Sequence, residues 1–490
     1  MKSCKICWLV FCFAACASHA LPDEMDEHVR RVEDGLLPAV LIKGIPGQKT
    51  SLADRMAFHR VPGVSIAVID KGQIAWARGY GVLEAGGQRP VDSETLFQAA
   101  SISKPVSTLA ALALVDRGTL SLDENVNDWL VSWKVPENEL TRQEKVTLRR
   151  LLSHSAGLTV HGFAGYAAGE PVPTLKEVLE GSGAANSKAV EVDMLPGKQW
   201  RYSGGGFCVL QQLLVDVEKK PFPDTMDELV LWPLAMRHST FQQPLPDSLA
   251  ATAATGHWGT GGPVVGRWHT YPELAAAGLW TTPSDLARFA MALQTTGQSN
   301  LVLSAEMTQQ MLTPQIGTCG LGIGVDGTGR NRNFSHSGAT VGFRSMLFAY
   351  TDTGKGAVVM VNSDSGILLI DEILRAVARE YDWPDYRPNE ATPLGIDAKM
   401  IAACTGRYQL FPRYVLAFSG GEGRLFVQGT GDPKAEAYRL SETEYFSPLA
   451  DTRYEFTTNL QGQVVGLMVD HLLSAARIND AKTPAAQTSH

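Results

Sequence analysis

The chain has 490 residues, of which 44% are hydrophobic and 19% are charged, and its formal net charge is −8 at pH 7. This composition is typical of ordinary folded proteins, and it excludes a disordered chain or a protein made mainly of membrane spans. Because the acidic excess is spread without blocks, it argues against nucleic acid or an anionic membrane surface as a partner. The length allows two or three domains.

The first twenty residues differ from the rest of the chain. Lys2 and Lys5 precede an apolar run at 6–17, and small residues follow up to Ala20. This pattern predicts a signal peptide at 1–20, removed after Ala20, and an exported protein that is periplasmic or secreted. The sequence around Cys16 also resembles a lipoprotein box, so a lipid anchor on that residue is the alternative. No later apolar stretch reaches the length of a membrane span.

The next segments alternate between strand and helix patterns. "GVSIAVIDKGQIAWARGYG" predicts two strands, Gly63 to Gly81, around a turn at 70–72. An apolar run then predicts a buried helix from Pro105 to Asp116, since proline is tolerated in a first turn and the run stops at Gly118.

The middle of the chain, from about 121 to 298, reads as helices and loops. Strands return at 319–325 and at 334–364, and an amphipathic helix is predicted at 367–381. A sheet built from early and late segments implies an α+β fold, with an antiparallel sheet flanked by helices and an all-helical lobe beside it. We expect this unit to span residues 21–385.

The C-terminal part has a different pattern. The Pro-rich stretch at 386–395 predicts a linker, and short alternating segments separated by turns follow at 396–478. They predict a small antiparallel, barrel-like β domain. The tail at 479–490 is expected to be disordered.

One tetrapeptide carries potential chemistry at the start of the predicted buried helix. Ser101 and Lys104 are three residues apart, a spacing that places both side chains on one helix face. A neutral lysine amine can accept the proton of a serine hydroxyl and so create a nucleophile. Alternatively, Ser101 is only a helix N-cap and Lys104 an exposed lysine.

Two further segments could complete a site. Tyr202 precedes a Gly-rich turn that opens an apolar helix, where its hydroxyl could bond to Ser101, or it is a core aromatic residue. The His336-Ser337-Gly338 segment lies in a predicted strand, whose small residues would let a substrate backbone pair with its edge. The segment "LLSHSAGL" is interpreted as structural.

The order Ser-x-x-Lys, Tyr and His-x-Gly resembles that of the serine β-lactamase-like, penicillin-recognising hydrolases. The resemblance is to the branch with class C β-lactamases, D-aminopeptidases, D,D-peptidases and esterases, and the C-terminal segment resembles the lipocalin-like β domain of some members. It implies a β-lactamase/transpeptidase-like fold with Ser101 as nucleophile, Lys104 as base and Tyr202 as second proton carrier. It further implies an oxyanion hole from the backbone N–H groups of Ser101 and Ala339.

The resemblance also implies a substrate-binding surface at four positions, two of which depart from the family pattern. That surface comprises Gly204, His336, Ser337 and Gly338. Gly204 stands where members often have Asn, and His-Ser-Gly replaces the Lys-Thr-Gly of β-lactamases. An imidazole with an ordinary pKa of about 6.5 could bind a carboxylate when protonated, or act as a neutral donor. Both departures favour a peptidase or esterase over a β-lactamase.

We therefore expect a serine hydrolase that acts through an acyl-enzyme on D-amino-acid-containing peptides, amides or small esters. A class C-type β-lactamase and a non-catalytic penicillin-binding-like protein are the alternatives. "GIGVDG" at 322–327 does not open a helix and is read as strand and turn, while the histidine and cysteine spacing favours neither a metal site nor a disulfide framework. We expect no cofactor and a small-molecule or peptide substrate, and the sequence leaves the oligomeric state open.

Overall fold

The computed structural model describes residues 22–294, 300–412 and 414–478. The expected signal peptide, its alternative lipid site at Cys16 and the expected tail lie outside the described residues. Within them the predicted α+β class is confirmed: helices cover both faces of an antiparallel sheet, a helical lobe lies beside it, and an all-β unit follows.

The strands up to residue 391 form one large sheet and two small ones. They are β1 (Val40–Ile42), β2 (Gly63–Asp70), β3 (Gln73–Gly81), β4 (Phe97–Gln98), β5 (Trp280–Thr281), β6 (Gly324–Asp326), β7 (Asn333–Thr340), β8 (Phe343–Tyr350), β9 (Gly356–Val361) and β10 (Asn389–Ala391). The large sheet has the order β3-β2-β9-β8-β7-β6, and all its pairs are antiparallel. Early and late segments therefore meet at the β2–β9 pair, as the sequence predicted.

The helices supply both outer layers and the lobe. They are α1 (Pro22–Glu33), α2 (Leu52–Phe58), α3 (Ser103–Asp116), α4 (Glu139–Gln143), α5 (Leu148–Leu152), α6 (Leu175–Glu180), α7 (Gly204–Glu218), α8 (Phe222–Met226), α9 (Asp247–Ala250), α10 (Leu274–Ala277), α11 (Pro283–Leu293), α12 (Ala305–Met311), α13 (Ile367–Glu380) and α14 (Ala398–Cys404). Strand β2 packs against a helical layer on each face of the sheet. On one face Val64 and Ile66 share a hydrophobic cluster with α1 and α13, and on the other Ala67 and Ile69 share a cluster with α3 and α11. Burying each such Val or Ile side chain stabilises the fold by about 1.5–3 kcal/mol.

Helix α3 is the central element of the site. Every residue from Ser103 to Leu114 is buried, as expected of a helix that is apolar on all sides. The predicted start at Pro105 is wrong by two residues, because a 3₁₀ turn at Ala100–Ile102 leads directly into the helix. Ser101 therefore lies in that 3₁₀ turn.

The C-terminal unit is a nine-stranded antiparallel sheet that curls into a nearly closed barrel. Its strands are β11 (Gly406–Phe411), β12 (Tyr414–Gly421), β13 (Arg424–Gly429), β14 (Ala435–Glu436), β15 (Tyr438–Arg439), β16 (Glu444–Ser447), β17 (Thr452–Thr458), β18 (Val464–Val469) and β19 (Leu473–Ile478). Edge-to-face aromatic contacts fill its core, among them those of Tyr408 and Phe456 with Phe418.

The segment 386–395, expected as a linker, contains β10, which pairs in parallel with β1 near the N-terminus. The barrel also bonds directly to the preceding unit. Asp451 accepts hydrogen bonds from the guanidinium of Arg375 and from the N–H of Ala39, and the Leu449 carbonyl accepts one from Arg55 at 2.7 Å. These contacts hold the barrel against α2 and α13.

Candidate active site

The turn that carries Ser101 is strained and tightly held. Ala100 has a φ of +53°, in the left-handed region that costs a non-glycine residue about 1–3 kcal/mol. The Ser103 hydroxyl donates to the Ala100 carbonyl at 2.6 Å, and it accepts the N–H of Leu279 at 3.0 Å. These bonds tie the turn to the segment before β5 and fix the direction of the half-buried Ser101 side chain.

Lys104 contacts Ser101 from the first turn of α3. Its Nζ atom lies 3.1 Å from Ser101 Oγ and donates to the Ala276 carbonyl at 2.8 Å. The residue is only 2% exposed, and no carboxylate of a described residue lies within ion-pair distance of it. A protonated amine would need three acceptors, so a buried lysine in this environment is suited to exchange a proton with the hydroxyl.

Tyr202 lies over Lys104. The Lys104 Nζ atom is 4.9 Å from the centre of the Tyr202 ring, which packs between His154 and His161 at centroid distances of 4.4 and 5.0 Å. Among the described residues the Tyr202 hydroxyl has no hydrogen-bond partner, so the expected bond to Ser101 is not formed. Such bonds often form only when a substrate is bound.

His154, in the segment "LLSHSAGL" that the sequence suggested was structural, holds the Tyr202 loop. Its Nδ1 atom accepts the N–H of Ser203 at 3.2 Å, and its ring contacts Tyr202. Burial, followed by the positive charge of Lys104, lowers the pKa of His154 well below its ordinary value. The ring is therefore neutral at physiological pH. Sequence reasoning missed this role because the contact joins residues 48 positions apart.

Gly204, which replaces the Asn common in the family, is packed too closely for any side chain. A Cβ atom there would lie 2.9 Å from the Phe163 ring and 3.1 Å from the His161 carbonyl, which already accepts the N–H of Gly204. The 161–163 loop thus fills the space that an asparagine would need. The side-chain amide of an asparagine is therefore absent at position 204, and the 161–163 loop occupies the space it would take.

Gly338 brings strand β7 against the Ser101 turn. A Cβ atom at this position would lie 2.2 Å from both the Ala99 carbonyl and Ser345 Oγ. This close approach places the exposed Ser337 and Ala339 beside the turn, on either side of Gly338. Strand β6 pairs with β7 only at 333–335, so from His336 onward the second edge of β7 has no strand partner in the described part of the chain.

His336 is held as a neutral donor on this strand. Its Nδ1–H donates to the Ser337 carbonyl at 2.7 Å, which leaves Nε2 as the acceptor of the ring. Burial and the positive charge of Lys104 lower its pKa to about 4. Of the two expectations for His336, the geometry favours the neutral ring.

A cavity of about 500 Å³ opens beside Tyr202 and His336. We call it the Trp200 pocket, and its wall includes Trp200, Tyr202, Ile316, Ile323, His336 and Met346. Its volume falls in the range typical of small-molecule sites. Among the described residues, the cysteines Cys208 and Cys404 are buried, and Cys319 is half-buried in the wall of this pocket; none of the three forms a disulfide.

Two other features are absent from the described residues. No group of three or more His, Cys, Asp or Glu side chains in 22–294, 300–412 or 414–478 is placed to hold a metal ion. Within the same ranges, no helix has the length and apolar character needed to cross a membrane.

The fold and the site together define a class of protein. An antiparallel sheet whose edge lies beside a half-buried serine and a buried lysine, with a tyrosine loop opposite, is the arrangement of a serine hydrolase. Residues 49–379 match the family model described as Beta-lactamase. This match covers well over half of the chain, and the chain belongs to that family.

Individual relatives agree with this assignment. The chain is 22% identical over 429 residues to "Penicillin-binding protein 4*" of Bacillus subtilis, covering 81% of this chain and 90% of that protein. It is 30% identical over 204 residues to "Esterase EstB" of Burkholderia gladioli, covering 39% of this chain and 50% of the esterase. A D-amino acid amidase structure from Ochrobactrum anthropi SV3 superimposes with a TM-score of 0.57 at 20% identity, covering 73% of this chain and 99% of the amidase.

Proposed function

We propose that Ser101 is the nucleophile of this hydrolase and that its substrates are small esters or amides, including D-amino-acid-containing peptides. The observation that carries the proposal is the 3.1 Å contact between Ser101 Oγ and the buried Lys104 Nζ, which has no carboxylate partner among the described residues. A lysine without an ion-pair partner can serve as a base more readily than one held by a carboxylate.

The proposed reaction passes through an acyl-enzyme. Neutral Lys104 takes the hydroxyl proton as Ser101 Oγ attacks the substrate carbonyl carbon, and the N–H groups of Ser101 and Ala339 bind the resulting oxyanion. Tyr202 donates a proton to the departing oxygen or nitrogen as the bond to the carbonyl carbon breaks. Lys104 then passes its proton to the deprotonated Tyr202 and is neutral again. Water attacks the acyl carbon and gives a proton to Lys104, and Ser101 Oγ takes that proton back as its bond to the acyl carbon breaks and the acid is released.

Two features of the site support esters and peptides over β-lactams. The amide expected next to Lys104 is absent at Gly204, and the 161–163 loop fills its space. The ring of His336 is neutral, whereas β-lactams carry a carboxylate that a cation at this position would bind. The names of two relatives, an esterase and a D-amino acid amidase, point to the same substrate classes. A class C-type β-lactamase and a non-catalytic penicillin-binding protein remain the alternatives.

Covalent labelling tests the nucleophile. A fluorophosphonate probe should label the purified protein, mass spectrometry should place the adduct on Ser101, and Ser101→Ala should remove both the label and ester turnover. Ser182→Ala, which changes an exposed serine, is the matched control. Full labelling of Ser101→Ala would exclude Ser101 as the nucleophile. Labelling by a fluorescent penicillin without ester or amide turnover would favour the penicillin-binding alternative.

We further propose that the protein is exported and that its mature form begins at Leu21. The signal pattern at 1–20 supports this proposal. N-terminal sequencing of the protein recovered from a bacterial periplasm should start at Leu21. A mature chain that begins with a lipid-modified Cys16 would establish the alternative, and an intact Met1 in the cytoplasm would refute export.

A further inference from the structure

The Trp200 pocket is apolar and carries no formal charge at neutral pH. Of the described residues, none that lines it is Lys, Arg, Asp or Glu. Trp200, Ile316, Ile323 and Met346 supply most of the hydrophobic wall, and Trp200 remains 51% exposed at its mouth. A large exposed aromatic residue at the entrance of a cavity is typical of a binding surface.

The polar groups of this wall are unsuited to bind an anion. His154 and His336 both line the pocket, and burial together with the charge of Lys104 lowers the pKa of each. Both rings are therefore neutral at physiological pH. Lys104 does not line the pocket, so a carboxylate that entered would lose its hydration without a cation in direct contact, and such a transfer is costly.

The position of the pocket indicates which part of a substrate it holds. Tyr202 and His336 belong to its wall, whereas neither Ser101 nor Ala339 does. In the proposed mechanism the oxyanion lies at Ser101 and Ala339, while Tyr202 delivers the proton to the departing atom. The departing group must therefore lie on the Tyr202 side, which is the side of the pocket.

We propose that the Trp200 pocket binds the leaving group and selects an uncharged, apolar alcohol or amine over one that carries a carboxylate. This inference rests on the proposed function, which it extends by naming the substrate class. It predicts poor turnover of peptides whose departing residue is a free amino acid, and good turnover of esters and amides whose departing group is neutral and bulky.

The test compares two acetate esters with matched departing phenols: those of 4-hydroxyphenylacetamide and of 4-hydroxyphenylacetate. Each kcat/KM is divided by the rate of spontaneous hydrolysis. We expect the neutral ester to be favoured by about tenfold or more at pH 7.5, because the acid buries an unpaired charge. His336→Lys supplies a cation in the wall and should reduce that preference by a similar factor.

A second comparison tests the apolar wall. Trp200→Ala should lower the ratio of kcat/KM for hexyl acetate to that for methyl acetate, whereas Trp232→Ala, an exposed tryptophan outside the pocket, should leave this ratio unchanged. This arm remains informative even if His336→Lys does not fold.

A preference below about threefold between the two phenyl esters in the wild-type protein overturns the inference, since the cost of an unpaired buried charge should exceed that factor. Such a result leaves the proposed function intact, because turnover would still be seen. Absence of turnover with every ester, together with absence of a Ser101 adduct, would instead refute the proposed function itself.

Discussion

Replacing Glu273 by glutamine should stabilise the protein at neutral and alkaline pH. Glu273 is fully buried, neither of its carboxylate oxygens has a hydrogen-bond partner among the described residues, and it directly precedes α10. That short helix carries the Ala276 carbonyl that binds Lys104. Burial raises the pKa of Glu273 from an ordinary 4.5 to about 7.

The direction and size of the effect follow from the two pKa values of Glu273. Below pH 4.5 the carboxyl is protonated in both the folded and the unfolded chain, and its ionisation does not affect stability. Between pH 4.5 and 7 the unfolded chain ionises first, so the free energy of unfolding falls as pH rises, and above pH 7 the full loss persists. A difference of about 2.5 units corresponds to about 3 kcal/mol.

Glutamine has nearly the same shape and cannot ionise, so Glu273→Gln should recover most of this loss at pH 8 and little at pH 4.5. The measurement is urea-induced unfolding of the full chain at both pH values. Glu137→Gln, which changes an exposed glutamate, is the control. Destabilisation by Glu273→Gln at pH 8 would show that the carboxyl is ionised and paired in the folded protein. An equal effect at the two pH values would show that folding does not shift the pKa of Glu273.

Three further predictions concern the Ser101 turn and the barrel. Lys104→Met should lower kcat by several orders of magnitude in ester hydrolysis assays, because nucleophile and base act as a unit, and near-normal kcat would remove Lys104 from the mechanism. Gly338→Ala should reduce both fluorophosphonate labelling and melting temperature, because the new Cβ atom would lie 2.2 Å from the Ala99 carbonyl oxygen. The control Gly262→Ala places its Cβ atom in open space and should change neither quantity. Asp451→Ala should lower the free energy of unfolding by about 3–5 kcal/mol in urea titrations, because it leaves the Arg375 guanidinium buried without this carboxylate. A loss below about 1 kcal/mol would mean that water reaches the ion pair.

The parts of the site that depend on local spacing were predictable from the sequence. The i, i+3 spacing of Ser101 and Lys104 indicated neighbouring side chains, and the structure places Lys104 Nζ 3.1 Å from Ser101 Oγ. The segment "GVSIAVID" likewise predicted a strand, and both faces of β2 are buried. These predictions succeed because residues close together in the sequence determine the local geometry, as they do where the 3₁₀ turn with Ser101 runs into α3 with Lys104.

Features that depend on long-range packing were not predictable. The left-handed conformation of Ala100 is imposed by contacts of the turn with Leu279 and with β7, which no local pattern encodes. The pairing of β10 with β1 joins segments about 350 residues apart, so composition alone suggested a linker at 386–395. His154 was missed for the same reason, since its partner is the Tyr202 loop.

The charge distribution around Lys104 explains why the same site contains two histidines that do not serve as bases. Lys104 is buried without a carboxylate partner among the described residues, and whenever it is protonated its positive charge disfavours a second cation nearby. Burial lowers the pKa values of His154 and His336, and the positive charge of Lys104 lowers them further. His336, whose pKa is about 4, binds protons too weakly to act as the main base at pH 7, and the lowered pKa of His154 has the same consequence. In the proposed mechanism the proton therefore passes through Lys104 and Tyr202, while the two neutral rings hold the tyrosine loop and form an uncharged wall against which an apolar leaving group can pack.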